Sequence, residues 1–299
     1  MNVKKFAAID IGTNAVRLLI SNIIENDSSC KINVNKATLV RTPVRLGDDV
    51  FNDGIITPRK VEKLILSMQA FLKLMQVHDV LDYRACATSA MREAINGKEV
   101  IEKINSETGI NIEIISGKDE AELLFMSENV ENIKSGKKYL AIDLGGGSIE
   151  FTLFTKKQVI ISKSFNIGTI RILNNKVPEF AAFELKRWLK SITEKYQPDF
   201  LVGSGGNINK LFRLSETSKN EPLTFSKLKN LYKYLDSFNY DDRIKILQLN
   251  TDRADVIMPA AEIFIKVMKW TKLNEILVPM VGLSDGIIRQ VYNNYNSKK

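Results

Sequence analysis

The amino-acid sequence predicts an α/β fold built from two related domains. Apolar runs typical of strands alternate with amphipathic helical segments along the chain, which is the pattern of sheets covered by helices. One pattern also occurs twice: an apolar strand ending in aspartate, a glycine turn and a second apolar strand, with Asp10 and Asp143 at equivalent positions about one domain length apart. A repeat of this period indicates two related domains and not a solenoid.

The first half of the chain supplies alternating strands and helices. Thr57 is expected to cap a long amphipathic helix that has Pro58 at its first position. A short helix is expected after Thr88, and another over residues 116–126. Strands are predicted at residues 6–9, 16–20, 32–34, 38–40, 83–87 and 112–115.

The second half begins with the second copy of the repeat, over residues 139–153. A further strand at 200–202 leads into a third glycine turn, 203–207, which opens a helix at Ile208. A final apolar helix around 287–292 is expected to pack on the first domain. The predicted boundaries are therefore residues 1–120 plus about 285–299 for domain I, and 121–284 for domain II.

Composition excludes several classes of site. The chain has 299 residues, 44% of them hydrophobic and 26% charged, enough for a soluble protein with a sizeable core. His78 is the single histidine and Cys30 and Cys86 are the two cysteines, so a Cys/His zinc cluster and a two-histidine site are ruled out. Reduced thiols, no export signal and no membrane-spanning run together predict a cytoplasmic protein. The net charge of +8 favours polyanionic partners without choosing among them.

Glycine turns between strands point to phosphate chemistry. Such a turn exposes backbone N–H groups that donate hydrogen bonds to phosphate oxygens, while an aspartate before it can hold Mg²⁺. A single turn is better explained as a tight hairpin, but two matched copies plus a third favour phosphate binding. Asp10 and Asp143 are the metal candidates. The phosphate-binding candidates in the turns are Gly12, Thr13, Asn14, Gly145, Gly146, Gly147, Ser148, Gly205, Gly206 and Asn207.

Three further residues, Arg17, Ser89 and Arg92, are candidates for binding phosphate. Ser89 and Arg92 lie at the start of a helix, where a hydroxyl and a planar guanidinium can bind phosphate. Arg92 could equally be a surface arginine paired with a nearby glutamate, and Arg17 an outward-facing strand residue. From its sequence context alone, Glu120 is a solvated glutamate in a first helical turn, favoured there by the helix dipole.

An ordered series of motifs resembles the exopolyphosphatase and guanosine pentaphosphate phosphohydrolase family of the actin-like superfamily. The resemblance implies two actin-like (ribonuclease H-like) domains facing a cleft, with Glu120 as the catalytic residue and Asp143 and Glu150 as an acidic pair that also binds metal. Asp119 replaces the family's usual glutamate, but its spacing from Ser116 matches a capping box. Besides the two repeats, the motifs are VRLGD (44–48), ATSAMREA (87–94), IISGKDEA (114–121), NIGTIR (166–171), GSGGN (203–207) and RADVI (253–257).

The resemblance implies a Mg²⁺-dependent hydrolase that releases terminal phosphate from inorganic polyphosphate or from the 5′-triphosphate of guanosine pentaphosphate, as a homodimer. An ATP-dependent small-molecule kinase of the same fold and a non-catalytic polyphosphate or nucleotide sensor are the alternatives. The basic residues are scattered along the sequence, and neither Trp188 nor Trp270 lies in a stacking series, so neither a specific nucleic acid nor a membrane is an expected partner.

Overall fold

The computed structural model describes residues 3–25, 32–127, 134–156 and 158–297. It confirms the α/β fold class with two separate sheets. The first sheet consists of β1 (Val3–Ile11), β2 (Val16–Glu25), β3 (Ile32–Thr42), β4 (Asp82–Ala87) and β5 (Ile112–Ile114). The second consists of β6 (Tyr139–Leu144), β7 (Ile149–Phe154), β8 (Val159–Phe165), β9 (Phe200–Ser204), β10 (Leu223–Thr224) and β11 (Glu275–Leu277).

The two sheets share one topology, so the sequence repeat is also a structural repeat. In the first sheet the order is β3-β2-β1-β4-β5, with β1, β2 and β3 antiparallel and β4 and β5 parallel to β1. In the second, β8-β7-β6-β9-β11 follows the same order and directions, and β10 adds one antiparallel strand at the edge. This is the strand order of ribonuclease H-like domains.

Thirteen helices are seen in the described residues. The long helix α2 begins at Pro58, as predicted, and no helix in the described ranges is long and apolar enough to cross a bilayer. In chain order they are α1 (Leu46–Asp53), α2 (Pro58–Val77), α3 (Ser89–Glu93), α4 (Gly97–Thr108), α5 (Gly117–Ser127), α6 (Thr169–Leu173), α7 (Ala181–Tyr196), α8 (Gly206–Leu214), α9 (Phe225–Asp236), α10 (Tyr240–Lys245), α11 (Thr251–Ala254), α12 (Ile257–Thr271) and α13 (Leu283–Ser297).

The chain divides into two compact units. The first comprises Met1–Ser127 and Leu283–Lys299, and the second Glu128–Gly282. The first unit includes the C-terminal helix α13, which buries its apolar face against β1, β2 and α5, as expected for a helix returning to the first domain. In the second unit, α7, α8, α9 and α12 pack around the sheet in one continuous apolar core.

Two local predictions were wrong in detail. The two strands expected at 32–34 and 38–40 form one strand, β3, in which Ala37 is the extra residue of a bulge opposite Ile20 and Ser21. Thr57 does precede α2, but its hydroxyl donates to Asp49 Oδ2 at 2.6 Å and makes no cap hydrogen bond. The Thr57 side chain therefore links α2 to α1 and does not cap the N-terminus of α2.

Candidate active site

The first unit brings its candidate residues to one edge of its sheet. β1, β4 and β5 are parallel, so their carboxyl ends meet at the same edge, where open α/β sheets bind ligands. Asp10 lies next to the end of β1, Ser89 begins α3 just after β4, and Glu120 lies in the first turn of α5 after β5. Residues distant in sequence thus converge at this edge.

The first glycine turn is fixed by its neighbours. Gly12 N–H donates to the Ala15 carbonyl at 3.1 Å, and the carbonyls of Thr13 and Asn14 accept backbone N–H bonds from the start of α1. The Thr13 and Ser89 hydroxyls lie 2.8 Å apart and are buried. The turn after β1 and the start of α3 are therefore linked directly, and both hydroxyls belong to one site.

Asp10 is paired within the first unit. Arg17, directly opposite it on β2, donates from Nη1 to Asp10 Oδ2 at 2.8 Å. The aspartate is buried, whereas the arginine side chain is 28% exposed. Any metal bound by Asp10 would have to compete with this arginine, which weakens the prediction of a metal-binding role for Asp10.

Glu120 is buried, which excludes the solvated-glutamate interpretation. Its exposed fraction is 8%, while the preceding residue, Asp119, is exposed. Asp119 forms the predicted capping box: its Oδ2 accepts from the hydroxyl and N–H of Ser116, and its own N–H donates to Ser116 Oγ. These hydrogen bonds from Ser116 hold the pKa of Asp119 below its ordinary value. The capping box fixes the turn that carries Glu120.

Arg92 supports the same turn from the side. Its Nη1 donates to the carbonyl of Ile115 at 2.7 Å, immediately before the capping box. The short helix α3 thus contacts the first glycine turn through Ser89 and the Glu120 turn through Arg92. The sequence did not predict this contact of Arg92 with the backbone, because it does not show that α3 lies beside Ile115.

Cys86 is a residue of this edge that the sequence did not single out. It pairs with Asp10 across β4 and β1, and burial raises the pKa of its thiol to about 12, with the charges of Asp10 and Glu120 contributing. The register of the two strands therefore places the thiol beside Asp10 at this edge. The pairing of β1 with β4 was not predicted from the sequence, and without it Cys86 could not be identified as a neighbour of Asp10.

The second unit presents two carboxylates at the equivalent edge. Asp143, near the end of β6, lies directly opposite Glu150 on β7. Glu150 is 2% exposed, and its Oε1 accepts a hydrogen bond from Ser164 Oγ at 2.9 Å. Two acids therefore occupy the positions that Asp10 and Arg17 occupy in the first unit.

The second glycine turn is held by α6. Its carbonyls at Gly145 and Gly146 accept N–H bonds from the start of α6, and the Gly147 carbonyl accepts from Arg171 Nε at 2.7 Å. A Cβ at Gly168 would lie 2.2 Å from the Gly146 oxygen, so only glycine allows this approach. Ser148 closes the turn through its carbonyl and is itself buried.

The third glycine turn makes room for Asp143. Gly205 has φ +87°, and a Cβ there would lie 2.2 Å from Asp143 Oδ1. Gly206 begins α8, and the Asn207 amide donates to the Leu144 carbonyl at 2.7 Å and accepts from Arg253 Nη1 at 3.1 Å. Asn207 therefore links the end of β6 to Arg253, and its predicted role as a phosphate contact stays a prediction.

The donor set at this edge fits magnesium. Mg²⁺ is usually held by one or two carboxylates, with waters and substrate phosphates completing its octahedron. Asp143 and Glu150, as cross-strand neighbours, supply two such carboxylates, and Gly205 approaches the Asp143 carboxylate too closely for any larger residue. Within the described ranges no group of three or more His, Cys, Asp or Glu residues forms a closed metal cage.

Comparisons with known proteins found relatives that match most of the chain. Exopolyphosphatase 1 of Mycobacterium leprae is 24% identical over 95% of this chain and 88% of its own length. The guanosine-5′-triphosphate,3′-diphosphate pyrophosphatase of Vibrio parahaemolyticus is 24% identical over 96% of this chain and 59% of its own. Both names describe hydrolases of phosphoanhydride bonds, so the predicted enzyme class is confirmed.

A solved structure shares the fold. An exopolyphosphatase from Cytophaga hutchinsonii superimposes with a TM-score of 0.84 and 24% identity, covering 97% of this chain and 98% of that one. At this identity the likeness concerns the fold alone. The sequence model of the Ppx/GppA phosphatase family matches residues 37–294, which is most of the chain, and the protein therefore belongs to that family.

Proposed function

We propose that this protein releases terminal phosphate from inorganic polyphosphate or from the 5′-triphosphate of guanosine pentaphosphate, in a reaction that requires Mg²⁺. The observation that carries the proposal is the buried carboxylate of Glu120, held in place by a capping box at the edge of the sheet. A buried carboxylate in the first turn of a helix, beside an exposed one, is suited to catalysis because its surroundings are fixed and water-poor.

The reaction needs a positioned water molecule. The water oxygen forms a bond to the terminal phosphorus while the bond from that phosphorus to the bridging oxygen breaks. Glu120 accepts the water proton, and the chain leaves as a phosphate anion one unit shorter. In guanosine pentaphosphate the leaving group is the tetraphosphate nucleotide.

Asp143 and Glu150 would hold the magnesium ion. When bound, the ion neutralises charge on the non-bridging phosphate oxygens. Asp143 is fixed for this task by the close approach of Gly205, and Glu150 by its hydrogen bond from Ser164. Both carboxylates are thereby oriented before any ligand arrives, which is a requirement for electrostatic catalysis.

The phosphate chain would be bound by hydroxyls and backbone amides. Thr13 and Ser89 offer a buried hydroxyl pair. The N–H groups of Gly12 and Gly145 close their own turns, so the backbone donors to phosphate oxygens would come from the other residues of the turns 12–15 and 145–148. Arg17 is the partly exposed cation of the first turn. An extended, uniformly anionic substrate matches such groups better than an uncharged sugar does.

The test is phosphate release with Mg²⁺ from short polyphosphate, long polyphosphate, guanosine pentaphosphate and ATP. Wild type is compared with Glu120→Gln and with Glu122→Gln, a matched control at an exposed position of the same helix. We expect Glu120→Gln to lower kcat by about 100-fold or more on one of the first three substrates, and Glu122→Gln to leave it unchanged.

Other outcomes would contradict the proposal. Binding of polyphosphate or guanosine pentaphosphate without turnover by wild type would indicate the sensor. ATP turnover only in the presence of an added small acceptor would indicate the kinase. Equal turnover by wild type and Glu120→Gln would remove Glu120 from the mechanism.

A further inference from the structure

One segment of the second unit carries a local excess of positive charge. Residues 156–196 contain nine Lys or Arg and three Glu, in a chain whose net charge is +8. This segment comprises β8 at the sheet edge, α6 and α7. Charge is therefore concentrated in this segment, of which Arg171 is buried against the second glycine turn and belongs to no exposed surface.

Helix α7 arranges part of this charge around an aromatic ring. Phe183, Lys186, Arg187 and Lys190 are spaced i, i+3, i+4 and i+7, so they share one helix face, and all four are exposed. Phe183 is 63% exposed, and Phe180, at the start of the helix, is 66% exposed. We call Lys163 on β8, together with these five residues, the α7 surface.

A shallow groove adjoins this face. It has a volume of about 320 Å³ and is lined by Lys163, Glu184, Arg187, Trp188 and Ser191. The Trp188 ring is held from below by Phe151 and Phe165, with centroid separations of 5.7 and 5.6 Å. The groove therefore has an aromatic wall formed by Trp188, with two cations, Lys163 and Arg187, and one carboxylate, Glu184, at its edges.

The cations of the α7 surface are available to an external anion. Lys163 lies over the Phe165 ring at 4.8 Å and Arg187 over the Phe183 ring at 5.9 Å. None of Lys163, Lys186, Arg187 and Lys190 forms an ion pair with another residue in the described part of the chain. An anion bound here would not have to displace an internal carboxylate.

We propose that the α7 surface binds single-stranded nucleic acid without sequence preference. Such binding combines cations that follow the phosphate backbone with aromatic rings on which bases stack. Phe180 and Phe183 supply exposed rings, the four cations supply the charge, and the groove beside Trp188 can receive a base. The proposal does not depend on the phosphatase reaction, because none of these residues belongs to the candidate active site.

Other occupants explain fewer of these features. Inorganic polyphosphate complements the cations but offers no apolar or π face to the two phenylalanines. A bilayer favours a wide apolar face with cations at its margin, whereas here the cations surround Phe183 on the same face. A second copy of this surface would bring like charges together, which disfavours pairing.

The first measurement is fluorescence anisotropy of a labelled uridine oligonucleotide titrated with protein at several salt concentrations. The aromatic variant Phe180→Ala/Phe183→Ala should weaken binding by about 10-fold or more, because each lost stacking contact is costly. The charge variant Lys186→Gln/Arg187→Gln/Lys190→Gln should reduce the log–log salt slope by about 2, at roughly 0.7 per phosphate contact to a single strand.

A control variant distinguishes binding at the α7 surface from attraction to any exposed basic residues. Lys227→Gln/Lys229→Gln/Lys233→Gln removes three exposed charges from α9 and should change neither affinity nor slope appreciably. In a Trp270→Phe background Trp188 is the sole tryptophan, and the oligonucleotide should quench its fluorescence. Phosphate release should be the same in all variants, which shows that they are folded.

Four results would overturn the proposal. Oligonucleotide binding that is insensitive to the aromatic variant would indicate a general polyanion surface, as would equal losses in the α7 and α9 charge variants. Binding to phosphatidylserine vesicles that requires the phenylalanines, without oligonucleotide binding, would indicate a membrane surface. A dimer in sedimentation equilibrium that dissociates in the aromatic variant would indicate a second copy.

Discussion

Asp10 and Arg17 lie directly opposite each other on β1 and β2 and form an ion pair of 2.8 Å. At the same positions of the second repeat, Asp143 lies opposite Glu150. The two copies of one strand–turn–strand pattern therefore have different charge: an acid with a base in the first unit, two acids in the second. In the proposed mechanism, the two acids of the second unit would hold the cation, whereas Asp10 is already paired with Arg17.

The Mg²⁺ dependence of phosphate release should be sensitive to substitution of Asp143 and insensitive to substitution of Asp10. We expect Asp143→Asn to raise the Mg²⁺ concentration for half-maximal phosphate release by about 10-fold or more, because it removes one of two carboxylate ligands. Asp10→Asn should leave that concentration nearly unchanged. It should instead lower the free energy of unfolding by about 1–3 kcal/mol, the usual range for a hydrogen bond to a charged group.

The measurement is a Mg²⁺ titration of phosphate release, with urea unfolding of each variant as the stability control. If Asp10→Asn shifted the Mg²⁺ titration as much as Asp143→Asn does, both units would hold metal and the assignment of the cation to the second unit would be wrong.

Replacing Gly205 by alanine should reduce activity because the added Cβ would collide with Asp143, an effect distinct from backbone strain. Gly205 and Gly109 both have positive φ, +87° and +72°, so alanine is strained at either position. Only at Gly205 does the added Cβ meet the Asp143 carboxylate, while Gly109 faces open space. We expect Gly109→Ala to cost about 1 kcal/mol of stability with full activity, and Gly205→Ala to lose activity by about 100-fold or more.

Phosphate release and thermal unfolding of the two variants provide the comparison. Comparable activity in Gly205→Ala and Gly109→Ala would show that Asp143 tolerates displacement, contrary to its assigned role.

The general architecture could be predicted from the sequence because each copy of the repeat is one continuous segment of the chain. A strand, a turn and a second strand with Asp10 or Asp143 at a fixed place can be recognised without tertiary contacts, and so can the capping box before Glu120. The α/β class followed from the same patterns.

Contacts between distant segments could not be predicted in the same way. The sequence does not show that Arg92 reaches the Ile115 carbonyl, that Cys86 adjoins Asp10, or that Asn207 spans Leu144 and Arg253. Each depends on the packing of strands or helices that are far apart in the chain. Residue type identified the chemistry, and the fold decided which partner each side chain takes.

Arg92 should act by positioning the Glu120 turn. Because its guanidinium donates to the Ile115 carbonyl, Arg92→Ala should lower kcat by about 10-fold while KM for polyphosphate changes little. Arg92→Lys, which keeps a donor and the charge, should recover part of kcat. A residue that binds phosphate directly would instead raise KM when truncated.

Steady-state kinetics with saturating Mg²⁺ distinguish the two roles. A large rise in KM with unchanged kcat in Arg92→Ala would return Arg92 to the phosphate-binding set predicted from the sequence.

Acid stability should depend on Asp49, which joins α1 to α2. Burial raises the pKa of this carboxyl, but hydrogen bonds from Lys60 and Thr57 outweigh burial and hold the pKa below its ordinary value. A group with a lowered folded-state pKa stabilises the protein above its unfolded-state pKa, near 3.8, and this contribution is lost as pH falls through the folded-state pKa.

Urea unfolding at pH 7 and near pH 3 tests this dependence. At pH 7, Asp49→Asn should lower the free energy of unfolding by about 1–2 kcal/mol, since two hydrogen-bonded partners lose a charged acceptor. The difference from wild type should shrink at the acid end, where the wild-type carboxyl is being protonated. Asp53→Asn, at an exposed position of the same helix, is the matched control and should change stability little at either pH. A difference between Asp49→Asn and wild type that stayed constant with pH would mean that the Asp49 charge is not what joins the helices.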